Sequence, residues 1–184
     1  MRAVDIVIAA GWVAFWLYWL AASTTAKAGR NNWARFAGFR IAIILVVLLL
    51  LRLRILKGHG AAAAASPFLW GIGLAAFAVG LGLAIWARIY IGRNWGMPMS
   101  QKAEPELVTT GPYHRVRHPI YSGIILAMIG TAVAVSVYWL IAVALLGGYF
   151  IYSAVREERY LAGQFPDTYP GYKRSTKMLI PFIL

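Results

Sequence analysis

The sequence predicts an all-α integral membrane protein with about five transmembrane helices. Of its 184 residues, 61% are hydrophobic and only 13% are charged, which is more apolar surface than a soluble domain of this length can bury. The apolar residues form long uncharged runs, and short basic segments separate these runs. The longest run covers 37 residues, 119–155, and as a single helix it would be about 55 Å long, far more than a bilayer needs.

Composition also excludes several function classes. Eighteen Lys and Arg against six Asp and Glu give a net charge of +12. These cations lie between the apolar runs, so we expect membrane lipids with anionic headgroups as neighbours and no nucleic acid partner. The chain has no cysteine, which rules out a disulfide, a thiolate metal site and a thiol nucleophile. With only three histidines, we expect no metal site.

The sequence evidence is stronger for the first predicted span than for the second. Residues 6–22 are uncharged and contain three tryptophans, so their length and aromatic content favour a retained span. A cleaved signal peptide is the alternative. Residues 41–51 form an apolar run of only 11 residues. This run can span the bilayer if Arg40, Arg52 and Arg54 extend toward the two interfaces.

The remaining three spans follow from residues 61–87 and 119–155. The former carries no charge over 27 residues, enough for a tilted span. The latter is predicted to form two helices that turn near residues 136–139, where Tyr138 and Trp139 would mark an interface. Small residues that recur every four positions predict three faces for close helix packing: Ala76, Gly80 and Ala84; Gly123, Ala127 and Thr131; Ala144 and Gly148.

The distribution of cations predicts the orientation. If the C-terminal tail lies in the cytoplasm, 14 of the 18 Lys and Arg residues are inside the cell. The opposite orientation reverses this bias, which contradicts the positive-inside rule. We therefore expect the N-terminus outside, and residues 88–118 and the tail together in the cytoplasm.

Hydrogen-bonding side chains crowd the start of the fourth predicted span. Pro119 suits the first turn of a helix, where its missing N–H costs nothing, and His118 would then occupy the cap position. A helix N-terminus of this kind, reinforced by arginines, can bind an anion. The alternative is that Arg115 and Arg117 only anchor a membrane helix at the headgroups. The polar residues of this segment are Tyr113, His114, Arg115, Arg117, His118 and Tyr121.

A pair of carboxylates follows the last span. Glu157 and Glu158 are two of the six acids in the chain. Because a helical hairpin returns the chain to the side where it began, we expect them near His118. A carboxylate there could hold a cation or hydroxyl groups of a ligand. The alternative is an exposed helix end at which both glutamates pair with Arg156 and Arg159.

Several motifs resemble those of the isoprenylcysteine carboxyl methyltransferase family, whose broader group includes phospholipid N-methyltransferases. They are Leu-Val-Thr-Thr-Gly-Pro-Tyr at 107–113, Arg-His-Pro-Ile-Tyr-Ser-Gly at 117–123 and Glu-Glu-x-x-Leu at 157–161. Phe165, Tyr169, Tyr172 and Ile-Pro at 180–181 extend the likeness. The resemblance covers residues 92–182, about half of the chain.

The resemblance implies an integral-membrane enzyme that uses S-adenosylmethionine without a Rossmann domain. Transmembrane helices would occupy 1–91 and the methyltransferase core 92–184, with its C-terminal cofactor-binding region facing the cytoplasm, in the plasma or inner membrane of a prokaryote. No catalytic base is assigned. The implied cofactor-binding residues are Gln101, Glu106, Leu107, Val108, Tyr113, His118, Pro119, Ile120, Tyr121 and Glu157.

The methyl acceptor is expected to be lipophilic, and its identity stays open. Where the resembled eukaryotic enzyme has a substrate arginine, this chain has Ser153, and a second family arginine aligns with Ala84. The candidate acceptor contacts are therefore Arg88, Ser153 and Arg156. Two alternatives remain: a membrane reductase of the sterol type that uses NADPH, and a non-catalytic membrane protein in which the polar clusters are anchors.

Overall fold

The computed structural model describes residues 2–24, 29–30, 66–95, 101–102 and 106–181. These residues form an all-α fold, which confirms the predicted class. The α-helices are α1 (Ala3–Ser23), α2 (Pro67–Ile91), α3 (Pro119–Ala134), α4 (Trp139–Gln164) and α5 (Tyr169–Ser175). Short 3-10 helices cover Gly92–Asn94 and Gly111–His114. Two-residue strands, β1 (Gly29–Arg30) and β2 (Gln101–Lys102), pair antiparallel.

Within the described ranges, three helices are long and apolar enough to cross a membrane: α1, α4, and α2 with the 3-10 turn that follows it. The fourth, α3, is apolar over 16 residues, about 24 Å. Large apolar side chains on the outer surface of α1, such as Leu17 and Leu20, are about two-thirds exposed, as expected for a lipid-facing helix. The chain is an integral membrane protein. The predicted span at 41–51 lies outside the described residues.

Helices α1 and α2 run in the same direction, and α3 runs against them. At one end, the Arg88 guanidinium donates to the carbonyl of Ala22 at the end of α1. At the other end, Arg2 donates to the carbonyl of Val135 beyond α3 (2.9 Å) and lies over the ring of Trp70. We call these the Arg88 end and the Arg2 end. The five-span prediction requires this parallel arrangement of α1 and α2.

The tightest packing joins α2 to α3. A Cβ placed on Gly80 would lie 2.6 Å from the carbonyl oxygen of Gly123, and one placed on Gly130 would lie 2.6 Å from that of Gly73. Only glycine allows two helix backbones to approach this closely. The contacting residues repeat with seven-residue periodicity: Gly73, Phe77, Gly80 and Ala84 on α2, and Gly123, Ala127, Gly130 and Ala134 on α3.

This packing corrects the predicted small-residue faces. Gly80, Ala84, Gly123 and Ala127 lie where they were expected, but the strict four-residue spacing was wrong. Thr131 makes a polar contact with α1: its hydroxyl accepts a hydrogen bond from the Trp12 indole (3.1 Å). Long helices that pack nearly antiparallel keep contact through a repeat of 3.5 residues, because a four-residue spacing drifts around the helix.

The two arms of the last hairpin turn where the sequence predicts. Helix α3 ends at Ala134, α4 begins at Trp139, and Ser136 between them is 1% exposed. Among the described residues, nothing lies within 4 Å of a Cβ placed on Gly148, so the small face predicted on α4 makes no close contact with them. Helix α4 continues beyond the uncharged run to Gln164, so both glutamates lie on its last turns.

Candidate active site

The first turn of α3 has the predicted construction. Pro119 opens the helix, His118 occupies the N-cap position, and no side chain caps the turn. Such a turn presents backbone N–H groups and the positive end of the helix dipole. The His118 ring is 8% exposed, and its Nε2 atom has no hydrogen-bond partner among the described residues. A buried nitrogen without a partner is unusual enough to indicate a ligand or water position.

An aromatic column continues from His118 to α4. The ring of Tyr121 stacks on that of His118 (centroids 5.4 Å apart, planes 4° apart) and on that of Phe150 (4.8 Å, 20°). The Tyr121 hydroxyl donates to the Glu157 carboxylate at 2.7 Å. The other Glu157 oxygen lies 3.6 Å from Nδ1 of His118. The hairpin therefore brings His118, Tyr121 and Glu157 together, as the sequence predicted.

Glu158 has a different environment from its neighbour. It is 5% exposed, and its carboxylate pairs with Arg117 (2.7 Å) and Lys173 (2.8 Å) and lies 3.6 Å from Nε2 of His118. The alternative of an exposed helix end pairing with Arg156 and Arg159 is therefore wrong for Glu158. A buried carboxylate between two cations fixes three chain segments relative to one another.

The C-terminal segment 176–179, which we call the strap, lies alongside 115–118. The amides of Arg117 and His118 donate to the carbonyls of Lys177 (2.8 Å) and Met178 (3.1 Å). The Ser122 hydroxyl donates to the Leu179 carbonyl at 2.6 Å. The Arg117 guanidinium also donates to the carbonyls of Lys173 and Thr176. The strap is thus attached to the start of α3 through both backbone and side chains.

Tyr113 connects the site to α2. Its hydroxyl donates to the Ala87 carbonyl (3.3 Å), and its own carbonyl accepts from the hydroxyl of Tyr172 on α5 (2.7 Å). Burial raises the pKa of Tyr113 well above its usual range, and the nearby Tyr172 and Glu157 raise it further. Burial also raises the pKa of Tyr172 to about 12 and that of Tyr169 above its usual range. These phenols are uncharged hydrogen-bond donors at neutral pH.

The segment before Tyr113 is less enclosed. Glu106 is exposed and accepts a 2.7 Å hydrogen bond from Asn94. Leu107 and Val108 are partly buried, and Val108 packs against the core. The structure describes Gln101 through its backbone in β2, paired with Arg30. Pro119 and Ile120 are buried in the first turn of α3.

The candidate acceptor residues lie in different surroundings. Arg88 is 3% exposed, donates to the carbonyls of Ala22 and Gly92, and lies 4.7 Å from the centroid of the Trp95 ring. Ser153 is completely buried on α4, one turn before Glu157, and its hydroxyl has no partner among the described residues. Arg156 lies on the exposed face of α4. The contacts of Arg88 with Ala22 and Gly92 show that this side chain joins the end of α1 to the end of α2.

Sequence reasoning missed three contributors. Phe150, which stacks on Tyr121, lies in the middle of an apolar run and carries no signal of its own. Lys173 and Thr176 lie in the tail, where no pattern connects them to Arg117 or Glu158. The sequence gives no signal for these three residues. It does indicate that Glu158 needs a partner, because a carboxylate at the end of a membrane helix requires one if it is buried.

Comparison with known proteins identifies a family that includes the residues of this site. A model of the phospholipid methyltransferase family matches residues 69–168. The range includes almost all of α2 and the whole of α3 and α4, and therefore His118, Tyr121 and both glutamates. The predicted resemblance to membrane methyltransferases is confirmed.

Three individual relatives match parts of the chain. The chain is 30% identical to the cobalt-zinc-cadmium resistance protein CzcN of Cupriavidus metallidurans, over 63% of this chain and 50% of that protein. It is 33% identical to the nickel-cobalt-cadmium resistance protein NccN of Alcaligenes xylosoxydans xylosoxydans, over 50% and 44%. It is 31% identical to the protein-S-isoprenylcysteine O-methyltransferase of Schizosaccharomyces pombe, over 53% and 43%.

The chain thus spans about half the length of the curated relatives it matches, or slightly less. The family match covers more than half of this chain and includes the helices that build the candidate site. The chain belongs to the phospholipid methyltransferase family.

Proposed function

We propose that the chain is an S-adenosylmethionine-dependent methyltransferase that acts on a lipophilic acceptor at the Arg88 end of the helices. One observation carries this proposal: His118 and Tyr121 at the start of α3 meet Glu157 near the end of α4. These side chains offer imidazole, aromatic and carboxylate contacts within one small region. We further propose that this end faces the cytoplasm and that residues 92–184 form the functional core.

The residues present fit the chemistry of S-adenosylmethionine. The uncapped first turn of α3, beside the His118 ring, can hold an anionic carboxylate. The Glu157 side chain, one-quarter exposed, can accept further hydrogen bonds from an ammonium group or a ribose hydroxyl. The faces of Tyr121 and Phe150 suit an adenine ring or a cationic sulfonium.

We propose the same cofactor contacts that the sequence predicts, and they lie in three parts of the chain. Pro119 and Ile120 belong to the uncapped turn, and Tyr113 is held between α2 and α5. The segment before Tyr113 would supply further contacts to the cofactor. That segment contributes Gln101, Glu106, Leu107 and Val108.

When bound, the cofactor would supply an activated methyl group. What the protein must provide is orientation and exclusion of water, because methyl transfer from a sulfonium needs in-line approach more than a strong base. The hydrogen bond from Tyr121 fixes the Glu157 carboxylate, and the stacked rings exclude water from one side of it. No residue is required as a base if the acceptor is itself an anion.

The acceptor is proposed to be a lipid or another lipophilic molecule. Arg88, the arginine nearest to the family's substrate position, is held by the Ala22 and Gly92 carbonyls and lies over Trp95. Ser153 is a small neutral group where the resembled enzymes place a cation. We therefore propose an acceptor other than a prenylcysteine carboxylate.

Titration of the full chain in detergent tests the proposal against its alternatives. We expect calorimetry to detect binding of S-adenosylmethionine, and of S-adenosylhomocysteine in competition with it. Binding of NADPH without S-adenosylmethionine would indicate the reductase instead. If the folded protein binds neither, the polar clusters are structural and the proposed function is wrong.

A further inference from the structure

We propose that Glu158 is a positioning residue: through Arg117 it holds the strap, residues 176–179, against the start of α3 and so fixes the His118 ring. The inference rests on the proposed function only because His118 belongs to the proposed cofactor site. The Glu158 and Arg117 side chains are 6% and 9% exposed, and Nε of Arg117 lies 2.7 Å from the carboxylate. Lys173, the third member, is 54% exposed.

Because the Glu158–Arg117 pair is buried, loss of either partner should displace the other. When one partner of a buried ion pair is removed, the other is left as an uncompensated charge, which costs more than the pair itself contributes. Without a carboxylate at 158, the Arg117 guanidinium would have to move toward solvent. The same guanidinium donates to the carbonyls of Lys173 and Thr176. Its movement would therefore remove side-chain contacts that hold α5 and the strap.

The strap in turn supports His118. The His118 amide donates to Met178, the preceding amide to Lys177, and the Ser122 hydroxyl bridges the His118 and Leu179 carbonyls (3.1 and 2.6 Å). Nε2 of His118 also lies 3.6 Å from Glu158. A displaced strap therefore leaves the N-cap of α3 without its backbone acceptors. The arrangement makes the two adjacent glutamates distinct: Glu157 faces the proposed ligand, and Glu158 holds the residues around it.

Cysteine labelling tests whether Glu158 anchors the strap. The chain has no cysteine, so a single Leu179→Cys provides a unique thiol at a position that is 4% exposed. We expect this thiol to react slowly with a maleimide, and about tenfold or more faster when Glu158→Gln is added, a factor typical of losing one charge-assisted hydrogen bond. Unchanged labelling would overturn the proposal.

Two controls separate local release from general loosening. Gln164→Cys at the exposed end of α4 should label rapidly with either residue at 158, which verifies the reagent. Ser136→Cys, 1% exposed at the Arg2 end, should stay protected in both. If Glu158→Gln exposes this distant thiol as well, its effect is global destabilisation and the positioning role is refuted. Lys173→Gln should change Leu179→Cys labelling less than about fivefold, because exposed ion pairs contribute little.

Modification of histidine tests the second half of the inference. Diethyl pyrocarbonate should modify the exposed His114 quickly and the buried His118 slowly, with mass spectrometry reporting both sites. In Glu158→Gln, His118 should become reactive while His114 does not change. Release of the strap with His118 still protected would show that Glu158 holds the strap without positioning the ring. Neither readout uses S-adenosylmethionine, so failure of the proposed function would appear in the titration alone.

Discussion

Tyr121 donates a 2.7 Å hydrogen bond to Glu157, although 36 positions separate them in the sequence. The bond joins the first turn of α3 to a late turn of α4. It also gives the carboxylate a fixed orientation beside His118. The positions of Glu157 and His118 predict what replacing each of them does to cofactor binding.

Glu157→Ala should weaken S-adenosylmethionine binding by about 10- to 150-fold, because a charge-assisted hydrogen bond contributes about 1.5–3 kcal/mol. Isothermal titration calorimetry in detergent measures the change. Asp167→Ala is the matched control: it removes one carboxylate from an exposed position beyond α4 and should bind like the parent. Equal affinities for Glu157→Ala and the parent would show that the site lies elsewhere.

His118→Ala should weaken the same binding by about tenfold or more, since it removes the buried nitrogen beside the uncapped turn of α3. His114→Ala is the matched control, because His114 lies four positions away and is exposed. It should bind like the parent. The measurement is again calorimetric, after thermal unfolding has shown that each variant is folded. A larger loss in His114→Ala than in His118→Ala would contradict the assignment.

Gly80→Ala should destabilise the protein by about 1–3 kcal/mol or more, because the added Cβ would press against the backbone of α3 at Gly123. Gly82→Ala, two positions away on α2, places its Cβ more than 4 Å from every other side chain that the structure describes and should leave stability unchanged or raise it by up to about 1 kcal/mol. Thermal unfolding in detergent, followed by circular dichroism, compares the two. Similar losses for both would mean that α2 and α3 do not pack as described.

A reporter fused after Leu184 should be active in the cytoplasm, since this orientation places 14 of 18 Lys and Arg residues inside. A phosphatase and a fluorescent protein, each fused at this point, report the two compartments independently. Activity of the phosphatase, which requires export, would reverse the orientation and place the proposed site on the outer side.

Prenylcysteine analogues should be poor methyl acceptors. Ser153 cannot pair with a carboxylate as an arginine does, and Arg88 is held by the Ala22 and Gly92 carbonyls. Transfer of radiolabelled methyl groups to an analogue and to a lipid extract compares the acceptors. Turnover of the analogue at about 1 per second or faster, typical of an enzyme with its own substrate, would refute this expectation.

The sequence predicts the positions of the elements better than their contacts. Pro119 as the helix start and the turn before Trp139 depend on local chemistry, and both are confirmed. The meeting of His118 with the glutamates follows from hairpin geometry alone. The register of α2 against α3 could not be predicted, because it depends on how two helices cross as well as on where small residues occur.

The division of roles between the two glutamates also needed the structure. A helical wheel places Glu157 and Glu158 about 100° apart, so only one can face a given pocket, and the other could have been exposed. On the sequence alone, Glu158→Ala would therefore serve as the control for Glu157→Ala. Its burial against Arg117 and Lys173 makes Asp167 the better choice. Tertiary contacts across 41 positions have no local sequence signature.

The contact of α2 with α3 also limits how a hydrocarbon chain can reach the site. At Gly80 and Gly123 the two backbones touch without side chains between them, leaving a gap narrower than an acyl or prenyl tail. A tail cannot enter from the bilayer through this side of the protein. An acceptor with its tail in the membrane would have to approach the site past another pair of helices.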